Sequence, residues 1–163
     1  MSAKTELVLV PVSTFSGELR VLVRRDAATE KQVLPHLLLK SDLLQKSALE
    51  FILRDVFSPA DAEELSSWIG SAKCKDRVVD VYDRDLLFEG AQSIAIVRVV
   101  AIPSEIAPDA RGVWLTPEEL FAEDSHLSHD CRLFVRDALA QIPFWIRHSS
   151  IAFELLPKTL SHQ

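Results

Sequence analysis

The chain has 163 residues but only 4 glycines, 2 cysteines, 1 methionine and 1 tyrosine. With so little glycine it has no linker composition, low-complexity tract or repeat, and nothing marks an internal boundary. Cys74 and Cys131 lie far apart in ordinary surroundings, so they make neither a disulfide framework nor a metal knuckle. No apolar run approaches the roughly 20 residues of a membrane span, and Met1 to Glu6 has no basic stretch leading into an apolar one. There is no basic excess either, because 18 Lys and Arg against 24 Asp and Glu leave a net charge of -6. Any phosphate-binding surface has to be local, so nucleic acid and membrane are not expected as partners. What is present, 48% hydrophobic and 26% charged residues, suits one globular domain over residues 1–163, expected to be soluble and cytoplasmic.

Glu6 to Ser13 is rich in β-branched residues and leads through Thr14-Phe-Ser-Gly17 into Glu18 to Arg25, which reads as two strands joined by a tight turn. Beyond Val33-Leu-Pro-His36, Ser41 is placed to cap a helix over about 42–57, whose apolar residues Leu44, Ala48, Phe51 and Ile52 recur at helical spacing. Phe51 is therefore expected on its buried face. Ser58-Pro59 opens a second helix, with Asp61, Glu63 and Glu64 near its start, ending near Gly70. Arg77 to Asp83 and Gln92 to Ile102 read as strands, the latter apolar enough to be covered on both faces. Val113-Trp-Leu115 is a short strand, Thr116 caps a turn of helix begun by Pro117, and Ser128 caps a helix carrying Leu133, Phe134, Ala138 and Leu139. The segment 142–163 holds Phe144, Trp145, Ile146 and Phe153, too apolar for a free tail, so it is expected to pack on the body or to form an interface with a protein partner or a second copy.

The order of these elements, together with Val33-Leu-Pro-His36, the small Ala48, Gly112 to Leu120 and Ser128 to Leu133, resembles the Nudix hydrolases. The resemblance spans nearly the whole chain and implies an α/β (α+β) fold, a mixed β-sheet sandwiched between α-helices. In that family a box of glycines, glutamates and an Arg-Glu pair holds Mg²⁺ against a diphosphate, so that water attacks at lower cost. With His36 on the first glycine, Asp42 falls on the first glutamate, Glu50 on the arginine and Phe51 on its glutamate neighbour. Ile52 then takes the apolar position, Arg54 and Asp55 the glutamate pair, and Phe57 the last glycine. Ile52 matches, and Asp42 and Asp55 are shortened acids. The box is degenerate. Phe51 has no metal ligand to offer, and Arg54 puts a fixed positive charge where a divalent cation would sit, a repulsion of about 4 kcal/mol per unit pair at 4 Å and a surface dielectric near 20. The resemblance thus implies a catalytically inactive domain with no metal and no cofactor, acting as a protein-interaction or scaffolding module with a nucleotide-like small molecule as a further ligand. The alternative is a pyrophosphohydrolase of a nucleoside diphosphate derivative, using Mg²⁺ and acids recruited from outside the box, Asp55 with Glu89, Glu118 or Glu119.

The charges of the box helix also have a plainer reading, because Asp42, Lys46, Glu50 and Arg54 alternate in sign at i+4, as on a solvated helix face. His36, after a proline at a strand end, and Arg24 and Arg25 at the end of the second strand are the ligand-binding candidates. Both also fit structural roles, a backbone-bonded histidine and a solvated strand end. His126, His129, Asp124 and Asp130 suit a helix entrance better than a metal site, and neither a serine-hydrolase elbow nor an activated cysteine is present. Trp68, Trp114 and Trp145 are placed to complete a core or an interface.

Overall fold

The β-branched opening of the chain becomes the strand on which everything else is laid. In the computed structural model, which describes residues 4–27, 30–39, 45–68, 76–85 and 92–148, this strand is β1, Lys4–Phe15. Ser16 and Gly17 both take positive φ, 53° and 82°, the turn whose twist matches a two-residue hairpin. They return the chain as β2, Glu18–Arg25, with Val12 opposite Val21. The two strands then part. Leu34 and Pro35 cross the opening between β3 (Gln32–Val33), which pairs with β2, and β4 (His36–Leu39), which pairs with the first half of β1. The Leu9 N–H donates to the Pro35 carbonyl at 2.9 Å, so the gap is bridged by main chain. On the other edge of β1 lies β6, Gln92–Ala101, parallel and in register from Lys4–Ser93 to Val12–Ala101, and β5 (Asp76–Asp85) flanks it antiparallel. With β7 (Val113–Leu115) on β2, the result is a seven-stranded mixed sheet of order β3-β2-β1-β6-β5, with β4 and β7 off that path.

Helices cover both faces. One face, with Val8, Val10, Val12, Val21 and Val23, packs against α3 (Pro117–Phe121) through Leu120 and α4 (His129–His148) through Cys131, Phe134, Val135, Ala138 and Ile142. The opposite face, with Leu7, Leu9 and Leu22, packs against α1 (Gln45–Val56) and α2 (Pro59–Trp68). Alternation along a strand serves both layers, which is why Leu22 is fully buried. The mixed sheet between helices is the architecture that the resemblance implies.

Local signals placed several boundaries. The Thr116 hydroxyl accepts from Glu119 N at 3.2 Å while the Glu119 carboxylate accepts from Thr116 N at 3.1 Å, a complete capping box. Ser58 Oγ accepts from Asp61 N at 3.3 Å before Pro59 in the first turn of α2, and Ser128 Oγ accepts from Cys131 N at 3.4 Å. One expectation needs correction. Phe51 is 61% exposed, because α1 buries Ala48, Leu49, Ile52, Leu53 and Val56, with Phe57 just beyond its end, and this stripe turns Phe51 outward. Of the apolar segment expected over 142–163, the residues as far as His148 continue α4, and Ile142 is buried in the core against the sheet. Ser41, Asp42 and Gly70, and the side chains of Lys46, Trp68, Phe144, Trp145, Ile146 and Phe153, lie outside what is described.

Candidate functional site

The alternation of β2 sends Leu22 and Arg24 toward the α1 face. Leu22 is buried there, and Arg24, one step nearer the strand end, reaches the C-terminal half of α1 and forms an ion pair between its Nη1 and Asp55 Oδ2. The loop after β6, packed on the same face of the sheet as α1, completes the cluster. After β6 the chain makes a short turn of 3-10 helix at Ala107–Asp109, and Arg111 N then donates to the Val56 carbonyl at 2.7 Å. The Arg111 guanidinium lies 3.5 Å from the Asp55 carbonyl. Cationic groups on the last carbonyls of a helix satisfy acceptors that have no partner within it and oppose its negative end. Gly112 makes this approach possible: its φ is +141°, and a Cβ there would stand 2.6 Å from the Val23 carbonyl oxygen, closer than any side chain permits. Arg111 escaped the reading of the sequence, and the adjoining Gly112 was the signal that a loop comes close at this point.

Around this junction Arg54, Asp55, Arg111 and Phe51 are exposed. Glu50 and Arg54 form no ion pair with each other, so the i+4 ladder is not realised at that step, and Asp55 pairs across to the sheet instead. Among the described residues the donor set at the box positions does not fit a divalent metal. At the positions aligned with the family's box stand an outward phenylalanine, a buried isoleucine, an arginine and a carboxylate already held by Arg24. Among the described residues no group of three or more His, Cys, Asp or Glu is arranged to hold a metal ion. Behind the junction, Leu9, Pro11, Pro35, Ile52, Leu53, Val56, Phe57, Val100 and Ile102 line an apolar crevice too tight for water.

The other candidates are dispersed. Arg25 pairs with Glu30 at 3.3 Å, so Arg24 and Arg25 serve different partners on opposite sides of β2. His36 begins β4 rather than ending a strand. Its Nδ1–H donates to the Leu34 carbonyl at 2.9 Å and its Nε2 lies 3.8 Å from the carboxylate of buried Glu6. Asp55 stands over one face of the sheet, while α3, which carries Glu118 and Glu119, is anchored by Leu120 on the other. Glu119 is committed to its cap: the Thr116 N–H and hydroxyl hold its carboxyl below the ordinary glutamate value, with a smaller contribution from the positive charge of Arg20. Glu89 lies outside the described residues. His126 lends its carbonyl to Gln32 N at 2.8 Å, extending the edge of β3. Trp114 packs on Phe15, ring centroids 5.4 Å apart, and its Nε1–H donates to the Ala107 carbonyl at 2.7 Å, which fits the expected core role.

No protein-family model matches the sequence, and no curated protein does. Solved structures do match the fold. A MutT/nudix family protein from Enterococcus faecalis superposes with a TM-score of 0.67 at 9% identity over 91% of this chain and 65% of that one. The chain has a Nudix-like fold. The NUDIX domain of Shewanella oneidensis NrtR, crystallised with ADP ribose, matches with a TM-score of 0.64 at 8% identity, over 87% of this chain and 90% of that one. NrtR complexed with a 27mer DNA matches with a TM-score of 0.63 at 11% identity, over 86% of this chain and 63% of that one. Identities this low carry the Nudix-like fold alone, and the chain spans about two thirds of the length of the Enterococcus protein and of NrtR. The DNA complex corrects one expectation. A chain with this fold over part of its length binds DNA, so a net charge of -6 does not exclude nucleic acid, because binding depends on the local distribution of charge. No helix among the described residues is long and apolar enough to cross a membrane.

Proposed function

We propose that the chain is a catalytically inactive Nudix-like domain, a cytoplasmic module that binds a protein partner or a second copy of itself and accepts a nucleotide-like ligand. One observation carries the reading: Asp55, the described carboxylate aligned with the box glutamates, is engaged by Arg24, with Arg111 closing over the same end of α1. A metal site needs several carboxylate oxygens converging on a small cation, and here guanidinium groups occupy that space. The ADP-ribose complex of the NrtR NUDIX domain supports a nucleotide as the small ligand. The buried Cys131, a thiol whose Sγ accepts from Leu34 N at 3.4 Å, accords with a reducing compartment.

The test is thermal unfolding in EDTA and in millimolar Mg²⁺. A ligand present at a hundred times its Kd adds about 2.7 kcal/mol to the folded state, several degrees for a chain of this size. The inactive domain melts at the same temperature in both buffers and releases no product from ADP-ribose, dinucleoside polyphosphates or nucleoside triphosphates. A Mg²⁺-dependent rise overturns the inactive reading, and turnover that disappears in Asp55→Ala favours the pyrophosphohydrolase with recruited acids instead.

A further inference from the structure

β5 ends the strand order of the sheet, and among the described residues β6 is the strand it pairs with. An edge strand presents a row of main-chain N–H and C=O groups to any strand that arrives beside it. β5 has 10 residues, at the long end for a strand. Six of them are charged, Asp76, Arg77, Asp80, Asp83, Arg84 and Asp85. Charges along an edge repel most arriving strands, so a partner has to match their order. The register with β6 slips between Val78 and Asp80, a bulge that leaves residues 80–85 as the regular run, opposite Val97 to Gln92.

We propose that the chain dimerises through β5, the two copies pairing antiparallel about Tyr82 in one continuous sheet. The proposal deepens the partner half of the reading above by naming a second copy as the partner and β5 as the surface. Two identical strands related by a two-fold axis normal to the sheet place one residue opposite itself. With that residue Tyr82, Asp80 stands opposite Arg84 of the second copy, Arg84 opposite Asp80, and Val81 opposite Asp83. Opposite charges then face each other on both sides of the axis. An axis at Asp83, Arg84 or Asp85 sets like charges opposite each other. One at Asp80 does the same and carries the bulge into the pairing, and one at Val81 leaves three regular positions with no pair of opposite charges. The helix α4 reaches the same edge. Just before its first residue, Ser128 N donates to the Gln32 carbonyl of β3 at 3.1 Å, and from there α4 crosses β1 and β6 to β5. The axis keeps α4 on one side of the sheet in both copies. A ladder over 80–84 is marginal alone, and the last part of α4, with Phe144, Trp145 and Ile146 in its sequence, adds apolar residues on that side of the joint.

The experiment is sedimentation equilibrium of the full chain, with circular dichroism to confirm that each variant is folded. The parent is expected to have twice the mass of one chain. Asp80→Arg and Arg84→Asp each set like charges opposite each other on both sides of the axis, and each should raise the dimer dissociation constant by about tenfold or more. Asp80→Arg combined with Arg84→Asp restores opposite charges and should recover the parent value. Tyr82→Cys, in a Cys74→Ser background, should form a disulfide between copies in oxidised glutathione, because residues opposite each other on paired strands lie within disulfide reach; Asp76→Cys should not. A monomeric parent overturns the proposal and leaves the inactive reading standing with another protein as partner. A dimer indifferent to both reversals, or not recovered by the combined variant, overturns the pairing at β5. Cross-linking absent at Tyr82→Cys, or equal at Asp76→Cys, overturns the axis. Product release in Mg²⁺ overturns the inactive reading and leaves the dimer standing, so the two fail separately.

Discussion

Replacing Phe57 by alanine tests which side of α1 faces the sheet. Phe57 follows the last residue of the helix, donates its N–H to the Leu53 carbonyl at 2.8 Å, and is 1% exposed among Leu9, Pro11, Pro35 and Ile102. Truncation removes a ring from an apolar interior with no room for water, and the surrounding sheet and proline main chain have little freedom to collapse into the space. Loss of transfer energy and the residual cavity together cost about 3 to 5 kcal/mol, which lowers Tm by about 6 to 20 °C at 2 to 4 °C per kcal/mol. Phe51, 61% exposed, has little contact to lose, so Phe51→Ala should cost under about 1 kcal/mol. Urea unfolding of both variants beside the parent, fitted with a common slope, compares them directly. Equal losses, or a larger loss at Phe51, would refute the assignment of the buried stripe to Leu49, Ile52, Leu53, Val56 and Phe57.

Gly112→Ala forces a Cβ to within 2.6 Å of the Val23 carbonyl at a φ of +141°, and should cost about 1 to 3 kcal/mol by thermal unfolding; an unchanged Tm defeats the claim that this loop needs glycine. The carboxyl of Glu119 is held below its ordinary value, first by the Thr116 N–H and then by the Thr116 hydroxyl. A depressed folded value means that its contribution is complete above the ordinary glutamate value and is lost as pH falls through the lower one. Glu119→Gln should therefore lose less stability than the parent between about pH 5 and pH 3, and identical acid profiles contradict the capping role of that charge. Trp145→Glu should leave a folded species of lower mass by light scattering if 142–163 forms an interface between copies, and a wild-type monomer unchanged by the substitution rules that out.

The features legible in the sequence are those whose cause lies within a few residues. β2 begins at Glu18 and ends at Arg25 as expected, because Ser16-Gly17 can take the positive φ that a two-residue hairpin requires. The caps at Ser58, Thr116 and Ser128 were readable because a hydroxyl and the N–H three residues on meet whenever a helix starts there. The layered architecture was implied by the family resemblance that the order of such elements and several local strings carry.

What acts between distant parts was decided by tertiary structure. The apolar residues of 44–57 admit two helical stripes, one through Phe51 and one through Leu49, Leu53 and Val56. Which one turns inward depends on the sheet that α1 lies against, where Leu7, Leu9 and Leu22 accept the second. β3 and β4 could not be separated in advance, since the reason they break at Leu34-Pro35 is the divergence of β1 and β2. The ion pair of Arg24 with Asp55 joins residues 31 apart, and the approach of Arg111 to the Asp55 carbonyl joins residues 56 apart. An alignment with the family's box identifies Asp55 as a remaining acid, but only the packing of strand, helix and loop reveals that its neighbours are cations, because Coulomb energy depends on distance in space and a sequence records only distance along the chain.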